Sequence, residues 1–238
     1  MATQTLHPAK IKARRTTVAM KLIMAVTGAL FVFYVLAHMY GNLKAFGGQS
    51  TYDEYAHHLR TLATPILPYK GFLWVFRAVL ILSLVGHAYS AFYLWSKAAG
   101  ARQTRYAVKL ASKTAWRSKA MRWGGVALLL FLVFHIVEFT TNKVNFNSSV
   151  SDASIGDSPY RLLVADFKPW WLVVIYLVAL VALAMHLEHG VWSAAQTLGV
   201  TTSAAARRTA KWTAHLIAGV VSIGFALVPL SIAFGIIK

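Results

Sequence analysis

Residues Trp170–Ala194 read WWLVVIYLVALVALAMHLEHGVWSA. The first sixteen positions, up to Met185, carry no charge at all. A helix that crosses a bilayer needs about 20 mostly apolar residues, within a range of roughly 17–25. This stretch therefore reads as a membrane-spanning helix. It ends in a paired tryptophan at one side and in His186, Glu188, His189 and Trp192 towards the other. Four more segments have the same character: Ala19–Tyr40, Phe72–Trp95, Trp123–Thr141 and Thr213–Ile237. Tyr40, Trp95, Trp123, Trp170, Trp171 and Trp212 lie at or near their ends, where aromatic rings favour the headgroup region. None of the five has the short core and small-residue cleavage site of a signal peptide. The expected architecture is an all-α integral membrane bundle of five spans, forming one anchor domain over residues 1–238.

Composition agrees with this and excludes other classes. Hydrophobic residues make up 58% of the 238 positions and charged residues 13%, against roughly 25% in soluble domains. The formal charge is nevertheless +17. A nucleic-acid-binding domain would be richer in charge and poorer in apolar residues, so no nucleic-acid partner is expected. The 8 Trp, 10 Tyr and 13 Phe exclude a disordered chain. Cysteine is absent, so this chain supplies no thiolate to a zinc or iron–sulfur site.

The basic residues segregate. Lys10, Lys12, Arg14, Arg15 and Lys21 precede or begin span one. Lys97, Arg102, Arg105, Lys109, Lys113, Arg117, Lys119 and Arg122 fall between spans two and three. Arg207, Arg208 and Lys211 fall between spans four and five. No acidic residue accompanies them on that face. The positive-inside rule makes this face cytoplasmic, with the N-terminus inside and the C-terminus outside. Such a face attracts anionic lipid or an acidic partner. On the outer side, Thr51 and Glu54 read as a capping box opening a short amphipathic helix over 51–64, closed by Pro65 and Pro68. Residues 142–168 read as an exposed polar loop. Tyr52, Tyr55, His57, His58 and Arg60 would either line an outer pocket or anchor the surface helix.

Histidine carries the chemical signal. Of nine, five lie within or near the ends of four spans: His38, His87, His135, His186 and His189. Ionisable groups at membrane depth are costly and point to function. His87 and His186 each lie 16 residues into an inward-running span, about 24 Å below the outer surface. His38 and His135 lie near the outer ends of outward-running spans. Two pairs at two levels result. Paired neutral imidazoles across a bundle hold a low-spin b-type haem, and two such haems form an electron wire. A proton relay in a transporter and a transition-metal site are the competing readings. A transporter would more often show repeats and broken helices.

The motifs around these histidines resemble one family. Span one ends His38-Met39-Tyr40-Gly41-Asn42-Leu43, followed by Phe46-Gly47-Gly48 and Tyr55-Ala56. Span two has Trp74-x-x-Arg77, then His87, with Ala101-Arg102 and Tyr106 after it. Span three has Met121-Arg122-Trp123-Gly124-Gly125, then Phe131 and Phe134-His135. Span four has His186-x-x-x-Gly190-Val191-Trp192-Ser193, then Gln196-Thr197-Leu198-Gly199. In this order they resemble the single-chain cytochrome b558 membrane anchor of succinate dehydrogenase and fumarate reductase, the respiratory complex II. The resemblance implies haem b ligated by His87 and His186 near the cytoplasm, and by His38 and His135 near the outer face. It implies a flavoprotein subunit with FAD and an iron–sulfur subunit docked on the cytoplasmic face, and menaquinone or another quinone as electron partner. It also implies the cytoplasmic membrane of a prokaryote, with succinate chemistry in a partner chain. Glu138 stands where many relatives carry a further His, and is open to proton transfer at an outer quinone site or to solvation at a helix end. Glu188 is open to a supporting or proton role near the inner haem, or to an ion pair with the inner link. His189 competes with His186 as ligand. Arg77, about 9 Å below the outer surface, either meets a haem propionate or snorkels. Three alternatives stand beside this reading. They are a haem-free anchor sharing a Rieske-like iron–sulfur cluster with partner thiolates, a cytochrome b anchor of another dehydrogenase, and a proton-coupled transporter.

Overall fold

The computed structural model describes residues 16–101, 113–141 and 157–238. His7, Lys10, Lys12, Arg14, Arg15, Arg102, Arg105, Tyr106, Lys109 and residues 142–156 of the outer link lie outside the described residues. Within them the chain is helical and no strand occurs. Helix α1 spans Thr17–Leu43, α2 Gly48–Thr61, α3 Gly71–Gly100, α4 Lys113–Ile136, α5 Pro159–Phe167, α6 Trp170–Thr197 and α7 Ala204–Ala233. Five of these, all but α2 and α5, are long and apolar enough to cross a membrane.

Helices α1 and α7 start where side chains satisfy their first amides. Thr16 Oγ1 accepts from the Ala19 amide at 3.1 Å, and Ser203 Oγ from Ala206 at 3.1 Å. Helix α7 therefore begins nine residues before the expected span and takes Arg207, Arg208 and Lys211 into its first turns. It stops at Ala233 rather than Ile237, because Gly235 adopts a φ of 71°. The apolar surface of these helices is turned outward as much as inward. Phe33, Ile81, Leu82, Val178, Leu216 and Ile223 are all mostly exposed, and the most apolar part of α3 buries nothing inside the bundle. In water that arrangement would forfeit the hydrophobic effect; in lipid it is neutral.

Helix α6 packs along α1, α4 and α7, and α1 packs along α3, α6 and α7. Within the quartet α1, α3, α4, α6 the diagonal pairs α1–α4 and α3–α6 approach less closely than α1–α3, α1–α6 and α4–α6, and face each other across a slot filled by side chains. At one end of the bundle Trp95 of α3 meets Trp123 of α4, with ring centroids 5.7 Å apart and the Arg122 guanidinium stacked over Trp95. Lys211 lies over Trp192 at the same end. At the other end Lys44 covers Tyr40, and Arg77 covers Trp74 at 5.1 Å.

Two expectations for the links need correction. The helix predicted from Thr51 begins at Gly48 instead. Thr51 sits inside it and donates to the Gly47 carbonyl at 3.0 Å, so it is no cap. The second part of the outer link is no exposed loop. Residues Pro159–Phe167 form α5, whose Tyr160, Leu163, Val164 and Phe167 are buried against Val173 and Tyr176 of α6 and Val228 and Ile232 of α7. Those four recur at i, i+3, i+4 and i+7, the apolar stripe of a short amphipathic helix. Asp53 of α2 clasps the start of α5: its carboxylate accepts from Ser158 Oγ at 2.6 Å and from the Tyr160 amide at 3.0 Å. Tyr52 packs on Tyr160, and the Tyr55 ring lies against Gly41 of α1 so closely that a Cβ there would come to 2.9 Å.

Candidate functional site

The four expected histidines meet as two pairs across the diagonals of the slot. His87 of α3 faces His186 of α6, with ring centroids 6.2 Å apart. His38 of α1 faces His135 of α4, with centroids 6.0 Å apart. The ring opposite His87 belongs to His186, not to His189.

The two pairs occupy separate levels, and an interval of ten or eleven residues separates them on three of the helices. On α1, Thr27 touches His87, and His38 follows eleven residues later. On α4, Gly125 lies against His186, and His135 follows ten residues later. On α6, Tyr176 touches His135, and His186 follows ten residues later. At 1.5 Å per residue, the levels stand about 15 Å apart, half of a hydrocarbon core of about 30 Å.

The surroundings of each ring are specific. Thr27 Oγ1 lies 3.0 Å from His87 Nδ1, and the same hydroxyl donates to the Ile23 carbonyl at 2.7 Å. Phe31 meets His87 edge-on. Across the slot, His186 Nδ1 is buried and has no hydrogen-bond partner among the described residues. Cβ atoms built on Gly28 and Gly125 would stand 3.6 and 3.5 Å from the His87 and His186 rings, so both histidines face bare backbone. At the other level, Tyr34 stacks on His38 at 5.4 Å and Phe131 on His135 at 5.9 Å. His135 Nδ1 lies 3.0 Å from the Tyr176 hydroxyl, which donates to Glu138 Oε2 at 2.9 Å. Glu138 leaves the helix end in a widened π turn, Val137–Thr141, and is only 5% exposed. Burial rules out the solvated helix-end role. Asp166 of α5 is 4% exposed beside it, with Oδ2 unpartnered among the described residues. Burial, and secondly the Glu138 carboxyl, push Asp166 up to about 7.

Chemically, the arrangement suits a group that takes one imidazole on each face. A metal–imidazole bond of about 2.0 Å puts the centroids of two opposed rings roughly 6.3 Å apart. The observed 6.2 and 6.0 Å fit that separation. The Nδ1 atoms of His87 and His135 are already engaged on the protein side, which leaves Nε2 as the atom available to a ligand. Among the described residues no group of three His, Asp or Glu could hold a bare metal ion.

Glu188 does not join the His87–His186 pair. Its carboxylate lies 3.9 Å from His215 Nδ1, in a groove between α6 and α7 lined by Met185, Ala218 and Gly219. That contact is with α7 itself rather than with the inner link. Arg77 lies ten residues before His87, at the level of the His38 pair. Sequence reasoning missed Thr27, Tyr176 and Asp166. A lone phenol or hydroxyl within an apolar span was the available signal for the first two. Asp166 was hidden by reading its segment as a loop. Neither a family model, nor a curated protein, nor a solved structure matches this chain.

Proposed function

We propose that this chain is the cytochrome b membrane-anchor subunit of a succinate:quinone oxidoreductase, passing electrons between an iron–sulfur subunit and membrane quinone through two bis-histidine b haems. The observation that carries the reading is the pair of diagonal imidazole couples, 6.2 and 6.0 Å between centroids, at two levels about 15 Å apart. His87 and His186 would hold one haem, His38 and His135 the other. When bound, the haems supply one-electron carriers stacked across the bilayer.

The chain's own residues perform three tasks. Thr27 and Tyr176 orient ligand rings by engaging Nδ1. Gly28 and Gly125 keep side chains out of the slot beside the inner rings. Phe31, Tyr34, Phe131 and Phe225 exclude water with aromatic surface. Arg77 would offer its charge to an acidic substituent near the outer ring. The basic segments, oriented inward by the positive-inside rule, would dock the iron–sulfur and FAD subunits at the cytoplasmic membrane of a prokaryote. Succinate oxidation or fumarate reduction would lie in the flavoprotein, not here. The His87 and His186 pair lies well inside long apolar helices, which weighs against a cluster completed there by thiolates of a peripheral partner.

The test is spectroscopic and then biochemical. The full chain, purified from membranes of a haem-sufficient host, should show reduced b-type bands and two haems per chain. H87A or H186A should remove one haem, and H38A or H135A the other. A preparation without haem would sink the proposal. Co-purification with flavin- and iron–sulfur-containing subunits, and succinate-dependent quinone reduction, would separate this anchor from that of another dehydrogenase. Proton-coupled uptake by haem-free vesicles would support the transporter reading instead.

A further inference from the structure

The two pairs differ in what stands behind the ligand rings. Behind His87 is a neutral hydroxyl, Thr27, whose proton goes to the Ile23 carbonyl. Behind His135 is Tyr176, whose proton goes to the Glu138 carboxylate. A hydroxyl has one proton and two lone pairs. With its proton committed, each can only accept from the imidazole, so Nδ1 must carry hydrogen and Nε2 the lone pair. We infer that Tyr176 is a positioning residue that locks His135 in this tautomer and passes the influence of Glu138 to it, so that electron donation from His135 Nε2 is set by a chain running Glu138–Tyr176–His135. This rests on the bis-histidine haem reading above.

The surroundings make the chain stiff. Phe131 and Phe167 meet the Tyr176 ring edge-on at 5.0 and 4.8 Å, and Phe134 and Phe139 close on it at 6.3 and 6.2 Å. The phenol therefore has little freedom to leave His135. Glu138 is held in the π turn just beyond His135, and such turns often mark functional sites. Little water reaches this cluster, so consecutive hydrogen bonds polarise one another. An acceptor behind Nδ1–H raises the basicity of Nε2, and an anion behind that acceptor raises it further. Greater donation favours oxidised iron. The His135 side thus has a buried carboxyl group one hydrogen bond behind its supporting hydroxyl, and the His87 side has a hydroxyl bonded to backbone.

The full chain loaded with haem tests this by redox potentiometry and by the low-temperature spectrum of the oxidised haems. The haem lost in H135A identifies the outer group. Y176F should shift that haem's potential upward and alter its axial-ligand spectrum, leaving the other unchanged. E138Q keeps an acceptor for Tyr176 but drops the charge, and should shift the same haem upward by less. If Y176F fails to accumulate, E138Q decides. Two haems in the wild type with neither potential moved by these variants would overturn the inference, as would equal movement of both. A wild type that takes no haem would instead overturn the parent reading, and this inference with it.

Discussion

Helix α5 roofs the buried carboxyl pair, and a single aspartate fastens its start. Replacing Asp53 by Ala removes two bonds: one from Ser158 Oγ at 2.6 Å and one from the Tyr160 amide at 3.0 Å. Bonds to a charged acceptor contribute about 1.5–3 kcal/mol each when desolvated. A carboxylate at a helix N-terminus adds about 0.3–1 kcal/mol. Both groups are only partly buried, so water replaces much of what is lost, and a net loss of about 2 kcal/mol follows. That is roughly a 30-fold rise in the open population of α5, since 1.4 kcal/mol is a factor of 10. Hydrogen exchange in detergent micelles reads this directly. The amides of Leu163, Val164 and Phe167 should lose protection by about that factor in D53A, while those in mid α7 keep theirs. Ser158→Ala should cost about as much as D53A, because it loses the shared bond and also the cap on the Arg161 amide at 3.2 Å. The two changes together should cost less than their sum, because they share one bond. Unchanged exchange in α5, or strict additivity of D53A and S158A, would refute the clasp.

Three further outcomes are expected. Thr27→Val removes the acceptor behind His87 at nearly constant volume, and should shift only the haem that H87A loses, at a stability cost of about 1 kcal/mol. Gly125→Ala should be tolerated, since its Cβ meets His186 Cε1 at 3.5 Å, whereas Gly125→Leu should push the ring aside and cut haem content to one per chain. Asp166 is raised from 3.8 to about 7 in the folded chain, so the folded state binds its proton more tightly than the unfolded state does. That contribution is full below pH 4 and is lost as pH rises through 7. Thermal stability in detergent should therefore fall across that window, and Asp166→Asn should flatten the decline.

The spans were legible because lipid imposes a simple rule of length and apolarity. The imidazole partners were legible because antiparallel spans convert residue counts into depth. His87 and His186 fell at one count and met at 6.2 Å. What stayed hidden was set by contact rather than period. Thr27 and Tyr176 sit in apolar runs where one hydroxyl barely alters the hydropathy, and their meaning depends on a ring some 60 or 41 residues away. Helix α5 was hidden by its polar neighbours, although Ser158-Pro159 is a good helix start and Tyr160, Leu163, Val164 and Phe167 have helical spacing. The Thr51 box failed because Gly48, with a φ of 79°, let the helix begin earlier.

The contrast between the two levels follows from where each lies. At the His87 level, α1 offers a hydroxyl whose proton its own backbone takes. The His135 level lies near a helix end, where α5 and the π turn bring two carboxyl groups under cover. A carboxylate is tolerable there because Tyr176 donates to it and the roof is short and close to the surface. Deeper in the bundle the same carboxylate would lack any such relief. By the inference above, both levels hold the same imidazole tautomer, one through a hydroxyl bonded to backbone and one through a hydroxyl bonded to a buried carboxyl group. Difference between the two sites is then a consequence of depth, and exchanging the supports should follow the charge. Placing Glu in reach of Thr27 would be expected to destabilise the fold before it altered the inner ring, and a folding assay paired with haem content would separate the two effects.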